Sequence, residues 1–244
     1  MARRTHARRA QHLGFAYRFA VALLWPFMRT MVRWDIVGSD RLTEDKDGVI
    51  VSPNHLSWFD PLVVAYVMWD ADRPPRFLGK EAVFRIPVLG RIIRGAGQIP
   101  VYRDSNEAGL AIRDALAALS AGECVVVYPE GTITRDPDTW PMAAKSGAVR
   151  LALASGRPLY PVAQWGANEV MAPYAKQFRI LPRKTMHVVV GEPIDLSDLA
   201  ERPVDGKVLA EGGERLMTAI TALLAQIRGE APPTERMVFQ RPPE

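Results

Sequence analysis

Two short apolar runs, residues 48–53 and 124–128, each end at a polar island, and that pattern constrains the fold more than anything else in the chain. The first leads into Asn54-His55-Leu56-Ser57-Trp58-Phe59-Asp60. The second leads into Pro129-Glu130-Gly131-Thr132-Ile133-Thr134-Arg135. Runs this short and this continuously apolar read as strands buried on both faces. Further strands are expected at 76–79, 99–102, 159–163 and 186–190. Helical patterns lie between them at 61–69, 87–94, 146–154 and 213–227. A further helix is capped by Asp104 or Ser105, runs through Leu119 and stops at Gly122. Strands alternating with helices predict an α/β fold: a mixed, largely parallel β-sheet flanked by helices. In such sheets, sites are built where strands end.

The first island places a His and an Asp five residues apart. On one continuous helix that spacing would turn the side chains about 140° from each other. Asp60-Pro61 instead reads as a helix start, with Asp60 as the cap and Pro61 at the first helical position. The break lets His55 fold back toward Asp60. A carboxylate that holds an imidazole fixes its tautomer and stabilises its cation, which makes a general base. Ser57 reads as a residue that fixes the loop. No Gly-x-Ser-x-Gly elbow and no P-loop occurs, and Gly95–Pro100 fails as a dinucleotide loop because Pro100 and a strand stand where a helix should begin.

The single cysteine, Cys124, excludes a disulfide within the chain, and the four histidines are too scattered for a metal motif, so no metal is expected. Charge is concentrated at the N-terminus. Residues 1–34 hold seven arginines and no acid, which leaves 24 basic residues against 27 acidic ones in the remainder. A mildly acidic body argues against nucleic acid as a partner. The apolar stretch Phe19–Met28 is shorter than the roughly 20 residues of a spanning helix. Bulky Phe27, Met28 and Arg29 offer no signal-peptidase site. On a helical wheel Arg18, Arg29 and Arg33 share a face, with Phe19, Leu23, Leu24, Phe27 and Met31 over much of the rest and Pro26 as a kink or break. The expectation is a segment lying on an anionic membrane surface, with Trp25 and Trp34 at headgroup level. The competing reading is a helix packed on the protein's own core. The layout is then an amphipathic segment at 1–34, a catalytic domain at 35–230 and a proline-bracketed tail at 231–244.

Four islands in order, 54–60, 97–103, 128–135 and 160–162, resemble the blocks of the 1-acylglycerol-3-phosphate O-acyltransferase (lysophosphatidic acid acyltransferase) family. Those blocks are Asn-His-x-x-x-x-Asp, a Gly-to-Val-x-Arg block, Phe-Pro-Glu-Gly-Thr-Arg-Ser, and a Pro-Val/Ile strand. The first and third are specific as a pair. The resemblance implies that His55 is the base and Asp60 its orienting partner. It implies further that Arg103, Glu130, Gly131, Thr132, Arg135 and Lys145 bind the acceptor, with Asn54 and Lys80 in support. The acyl donor would be acyl-CoA or acyl-carrier protein, the product phosphatidic acid, and the place of work the cytoplasmic face of the cell membrane. Another lysophospholipid or a glycolipid as acceptor stays open. Intact His55, Asp60 and Glu130 argue against a non-catalytic lipid-binding protein. The third block departs from the family pattern: Ile133 stands where the family has Arg, and Arg135 follows two positions later.

Overall fold

A computed structural model of the chain describes residues 14–44, 47–102 and 108–239. In order the elements are α1 (Phe15–Met31), β1 (Arg33–Val37), α2 (Arg41–Glu44), β2 (Val49–Pro53), α3 (Asp60–Asp70), β3 (Pro75–Lys80), α4 (Glu81–Phe84) and α5 (Leu89–Gly95). There follow β4 (Ile99–Val101), α6 (Ala108–Ser120), β5 (Cys124–Val126), α7 (Gly147–Ser155), β6 (Leu159–Trp165), α8 (Ala167–Val170), β7 (Thr185–Val190), α9 (Ser197–Ala200) and α10 (Gly206–Arg228). Among the described residues the strands form one seven-stranded sheet in the order β1-β7-β6-β2-β5-β3-β4. Every neighbouring pair is parallel except β6–β7. This is the expected mixed, largely parallel α/β sheet.

The apolar runs are buried on both faces because helices cover both. Side chains alternate along a strand. Val49 and Val51 of β2, with Cys124 and Val126 of β5, pack toward Met28 of α1 and Val63, Val64 and Val67 of α3. Ile50 and Val125 point the other way, into Ala115 of α6, Val149 and Leu151 of α7 and Leu216 and Ile220 of α10. Burying one such valine or isoleucine contributes about 1.5–3 kcal/mol.

Several expectations shift. The last helix begins at Gly206, seven residues before the expected Gly213, with Asp205 accepting from the Lys207 and Val208 amides at its start. Gly212 and Gly213 lie inside this helix, and Gly212 serves packing: a Cβ on it would lie 2.6 Å from Val149 Cγ1 of α7. β1 takes Arg33 and Trp34 into the sheet, so Arg33 does not share α1's face with Arg18 and Arg29. α1 continues through Pro26. Its apolar residues divide: Tyr17 and Met28 are buried, while Phe15, Phe19, Leu23 and Phe27 face outward. The expected helix cap at Asp104 or Ser105 lies outside the described residues. Among the described residues no helix is long and apolar enough to cross a membrane.

Candidate active site

β2 lies between β6 and β5, so the first, third and fourth islands follow or occupy three adjacent parallel strands. Beyond Pro53, Asn54 carries the β2–β6 pairing one step further. Its amide N–H donates to Val162 O, its Nδ2 to Gln164 O at 3.1 Å, and its Oδ1 accepts from Gln164 N at 2.8 Å. Gln164 Nε2 in turn donates to Asn54 O at 2.9 Å. The fully buried Asn54 side chain thus acts as an extra peptide unit, and it fixes where His55 begins.

Asp60 does not cap α3 with its side chain. Its carboxylate turns back instead, and Oδ2 accepts from His55 Nδ1 at 2.8 Å, from Ser57 N at 2.8 Å and from Leu56 N. Two of these donors are backbone N–H groups, so Oδ2 is an acceptor, His55 Nδ1 carries the proton, and Nε2 presents the lone pair. Burial raises the carboxyl of Asp60 above the usual carboxylate range, opposed by His55 and then by the Ser57 and Leu56 amides. Ser57 locks the loop from below, donating to Met171 O at 2.6 Å and accepting from Phe59 N. The His55 side chain is 13% exposed against 0% for Asp60, so the imidazole is reachable and the carboxylate that holds it is not. Tyr128 stacks on the imidazole with centroids 4.1 Å apart.

Glu130 turns inward. Its carboxylate faces inward, 2% exposed, with Oε1 accepting from His55 N at 2.9 Å and Oε2 from Met142 N at 3.0 Å. It therefore joins the loop after β2 to the loop after β5. Burial pushes its pKa up to about 8, against the pull of the Met142 and His55 amides. Thr134 N donates to His55 O at 2.8 Å and completes the seam. Gly131 adopts φ +69°, and a Cβ there would lie 3.0 Å from Lys145 Cδ. Glycine answers both demands.

The structure thus brings Asn54, His55, Asp60, Glu130, Gly131, Thr132 and Lys145 together. Arg135 sits on the outer side of the same loop, its Cζ 3.8 Å from the Tyr174 ring centroid. Ile133, in the family's arginine position, is buried. Lys80 is exposed at the end of β3, two strands from β2 and therefore about 10 Å away across the sheet. Arg103 lies outside the described residues. Sequence reasoning missed Gln164, Met142 and Tyr174. Gln164 lies one residue past the expected end of its strand at Ala163. Met142 contributes only its amide. Tyr174 falls in an irregular segment without periodicity.

An apolar cavity of about 250 Å³ opens beside this site, between α1, α3, β3 and α5. Leu24, Trp25, Pro61, Leu62, Phe77 and Ile92 contribute to its wall. Pro61 and Leu62 directly follow Asp60, and the Phe77 ring stacks on Tyr128 at 6.4 Å. The cavity and the His55 imidazole are therefore neighbours.

Residues 33–165, which hold the two loops and the strands between them, match the Acyltransferase family, and the chain belongs to that family. Among its relatives, a chloroplastic 1-acyl-sn-glycerol-3-phosphate acyltransferase of Brassica napus is 27% identical over 77% of this chain and 51% of its own length. The 1-acyl-sn-glycerol-3-phosphate acyltransferase of Borreliella burgdorferi is 28% identical over 68% of this chain and 63% of its own. The chain thus spans about half to just under two thirds of these two relatives. The Bacillus subtilis protein of the same name is 23% identical, with 80% of this chain and 90% of the relative covered. The crystal structure of PlsC, the 1-acyl-sn-glycerophosphate acyltransferase of Thermotoga maritima, shares the fold, with a TM-score of 0.66 and 20% identity over 88% of this chain and 82% of that one.

Proposed function

We propose that the chain transfers a fatty acyl group from a thioester, acyl-CoA or acyl-carrier protein, to the free hydroxyl of 1-acylglycerol-3-phosphate, giving phosphatidic acid. The observation that carries this is the 2.8 Å contact of His55 Nδ1 with buried Asp60, which leaves Nε2 as a reachable base. Nε2 takes the hydroxyl proton as the oxygen attacks the thioester carbon. The C–S bond then breaks as the new C–O bond settles into an ester, and the imidazolium returns the proton to the thiolate. Asp60 stabilises the imidazolium between these steps. The neighbouring cavity suits an acyl chain, and Lys145, Arg103 and Arg135 supply positive charge for the acceptor's phosphate.

The test is transfer from palmitoyl-CoA to lysophosphatidic acid in detergent or vesicles. Phosphatidic acid formed by the wild type supports the reading, and no transfer to any lysophospholipid from either donor overturns it. Asp60→Asn separates geometry from charge. The amide oxygen can accept from the same three donors, while the anion is lost. The expected result is a rate drop of about 10²-fold or more with the fold retained. Turnover at the wild-type rate in Asp60→Asn would remove Asp60 from the mechanism.

The same proposal places the protein at an anionic membrane surface through α1. Phe15, Phe19, Leu23 and Phe27 recur every four residues and face outward, beside exposed Arg18 and Arg29. Moving two such side chains out of water is worth about 3 kcal/mol or more, or about a hundredfold in affinity. Phe19→Ser with Leu23→Ser is therefore expected to weaken binding to anionic vesicles by that order, measured by sedimentation. Undiminished binding would point to a different surface.

A further inference from the structure

We propose that Arg135 is held by an aromatic clip, Tyr174 from the irregular segment after α8 and Phe239 from the C-terminal segment, and that this clip sets the enzyme's preference for an acceptor bearing a phosphate monoester. The inference rests on the acyltransferase reading above and extends it to residues outside the family-matched part of the chain, 33–165.

Burial of Ile133 removes the side chain that would carry charge at the family's arginine position. Arg135, two residues on, is exposed, and among the described residues no carboxylate pairs with its guanidinium. Other arginines here are committed: Arg76 to Glu123, Arg215 to Asp198 and Glu211, Arg228 to Glu230, Arg236 to Glu214. Arg135 is committed to rings instead, with Cζ 3.8 Å from the Tyr174 centroid and 5.4 Å from that of Phe239. A guanidinium laid on an aromatic face keeps its in-plane N–H groups free, and that edge matches two phosphate oxygens at once.

Both rings are held in place. The Tyr174 hydroxyl donates to Ile133 O at 2.6 Å and lies 3.4 Å from Thr132 Oγ1, with Tyr174 itself in the left-handed region at φ +58°. A tyrosine there is strained, and such strain gathers where geometry serves a ligand. Phe239 is carried in by a docked segment without regular secondary structure. Met237 O accepts from Ala143 N at 2.9 Å, and Arg236 pairs with Glu214 and donates to Thr218 Oγ1 at 2.7 Å. Ala143 adjoins Met142, whose amide Glu130 binds. The tail is thus tied to the strip of chain that positions the base. Tyr174, beneath Arg135, reaches Thr132 through its hydroxyl, and the Lys145 side chain runs beside Gly131, so both cationic side chains border the Gly131-Thr132 turn.

The test uses the full chain and two readouts. By calorimetry with sn-glycerol 3-phosphate, Arg135→Ala is expected to weaken binding about 10–100-fold, the range of a charged hydrogen-bonding group. Phe239→Ala and Tyr174→Ala are expected to weaken it about three- to tenfold. Tyr174→Phe keeps the ring and loses only its anchor to Ile133 O, so its loss is expected to be smaller than that of Tyr174→Ala. In turnover, Arg135→Ala and Phe239→Ala raise KM for lysophosphatidic acid with kcat changed little, and leave lysophosphatidylcholine, a diester, unaffected. Inorganic phosphate binding that falls in step with glycerol 3-phosphate marks recognition of the phosphate alone; binding of the glycerol ester that falls further marks the acceptor. Both outcomes support the clip. Unaltered glycerol 3-phosphate binding in Arg135→Ala overturns it, as does an equal loss for the diester. A wild type that binds through Arg135 but transfers no acyl chain would overturn the reaction and leave the clip standing.

Discussion

His55→Ala is expected to lower the proposed acyl transfer by about 10²–10⁴-fold, the worth of a positioned general base. The protein survives the change. Asp60 keeps the Leu56 and Ser57 amides, and Glu130 keeps His55's backbone N–H, which alanine also has. What is lost is one charge-assisted hydrogen bond and one ring stack, about 2–4 kcal/mol together, in a domain whose ordinary stability is about 5–15 kcal/mol. Circular dichroism and vesicle binding should therefore resemble the wild type while product formation collapses. A variant with wild-type turnover would mean that another group takes the proton.

Glu130 carries the second large effect, and it is structural before it is catalytic. Glu130→Ala leaves two inward N–H donors, of His55 and Met142, without a partner. Each costs about 1–3 kcal/mol, so a loss of about 2–6 kcal/mol is expected in urea unfolding. Glutamine is no rescue. It offers one oxygen where two are used, and turns an NH₂ against a backbone donor. The pH dependence follows from burial, which lifts this carboxyl from 4.5 to about 8 in the folded state. Below the unfolded value both states hold the proton and its contribution is fully present. Between about 4.5 and 8 the unfolded chain releases it first, so stability falls by up to about 1.4 kcal/mol per pH unit. Above about 8 the slope vanishes. Asp60, also raised by burial, adds a slope of the same sign in both proteins. The difference between wild type and Glu130→Ala therefore reports the Glu130 carboxyl together with its coulombic coupling to Asp60. Equal slopes in the two would show that the carboxyl does not titrate there.

The sheet was legible where burial on both faces left its mark, in Val49-Ile50-Val51 and Cys124-Val125-Val126. The start of α10 was not. Gly212-Gly213 lowers local helix propensity, and only the closeness of Val149 across α7 explains why it is tolerated. The pairing of His55 with Asp60 could be read from the break between them. That Asp60 spends its carboxylate on the loop rather than on the helix could not, because a capping Asp and a back-turned Asp share one local pattern. Glu130 was visible as a site residue, yet its two partners are amides 75 and 12 residues away, and an amide has no sequence signature. Phe239 and Tyr174 lie in segments without periodicity, so nothing local could link them to Arg135.

The central place of β2 also has a cost in time. Its partners are Cys124–Val126 on one side and Leu159–Val162 on the other, all far downstream. A ribosome adding about 5–20 residues per second leaves Val49-Ile50-Val51 without strand partners for several seconds after they emerge. This apolar segment of the sheet is thus made early, after β1 alone, and is paired only when β5 and β6 follow. Newly made chains should therefore depend on holding chaperones more than their modest size would imply.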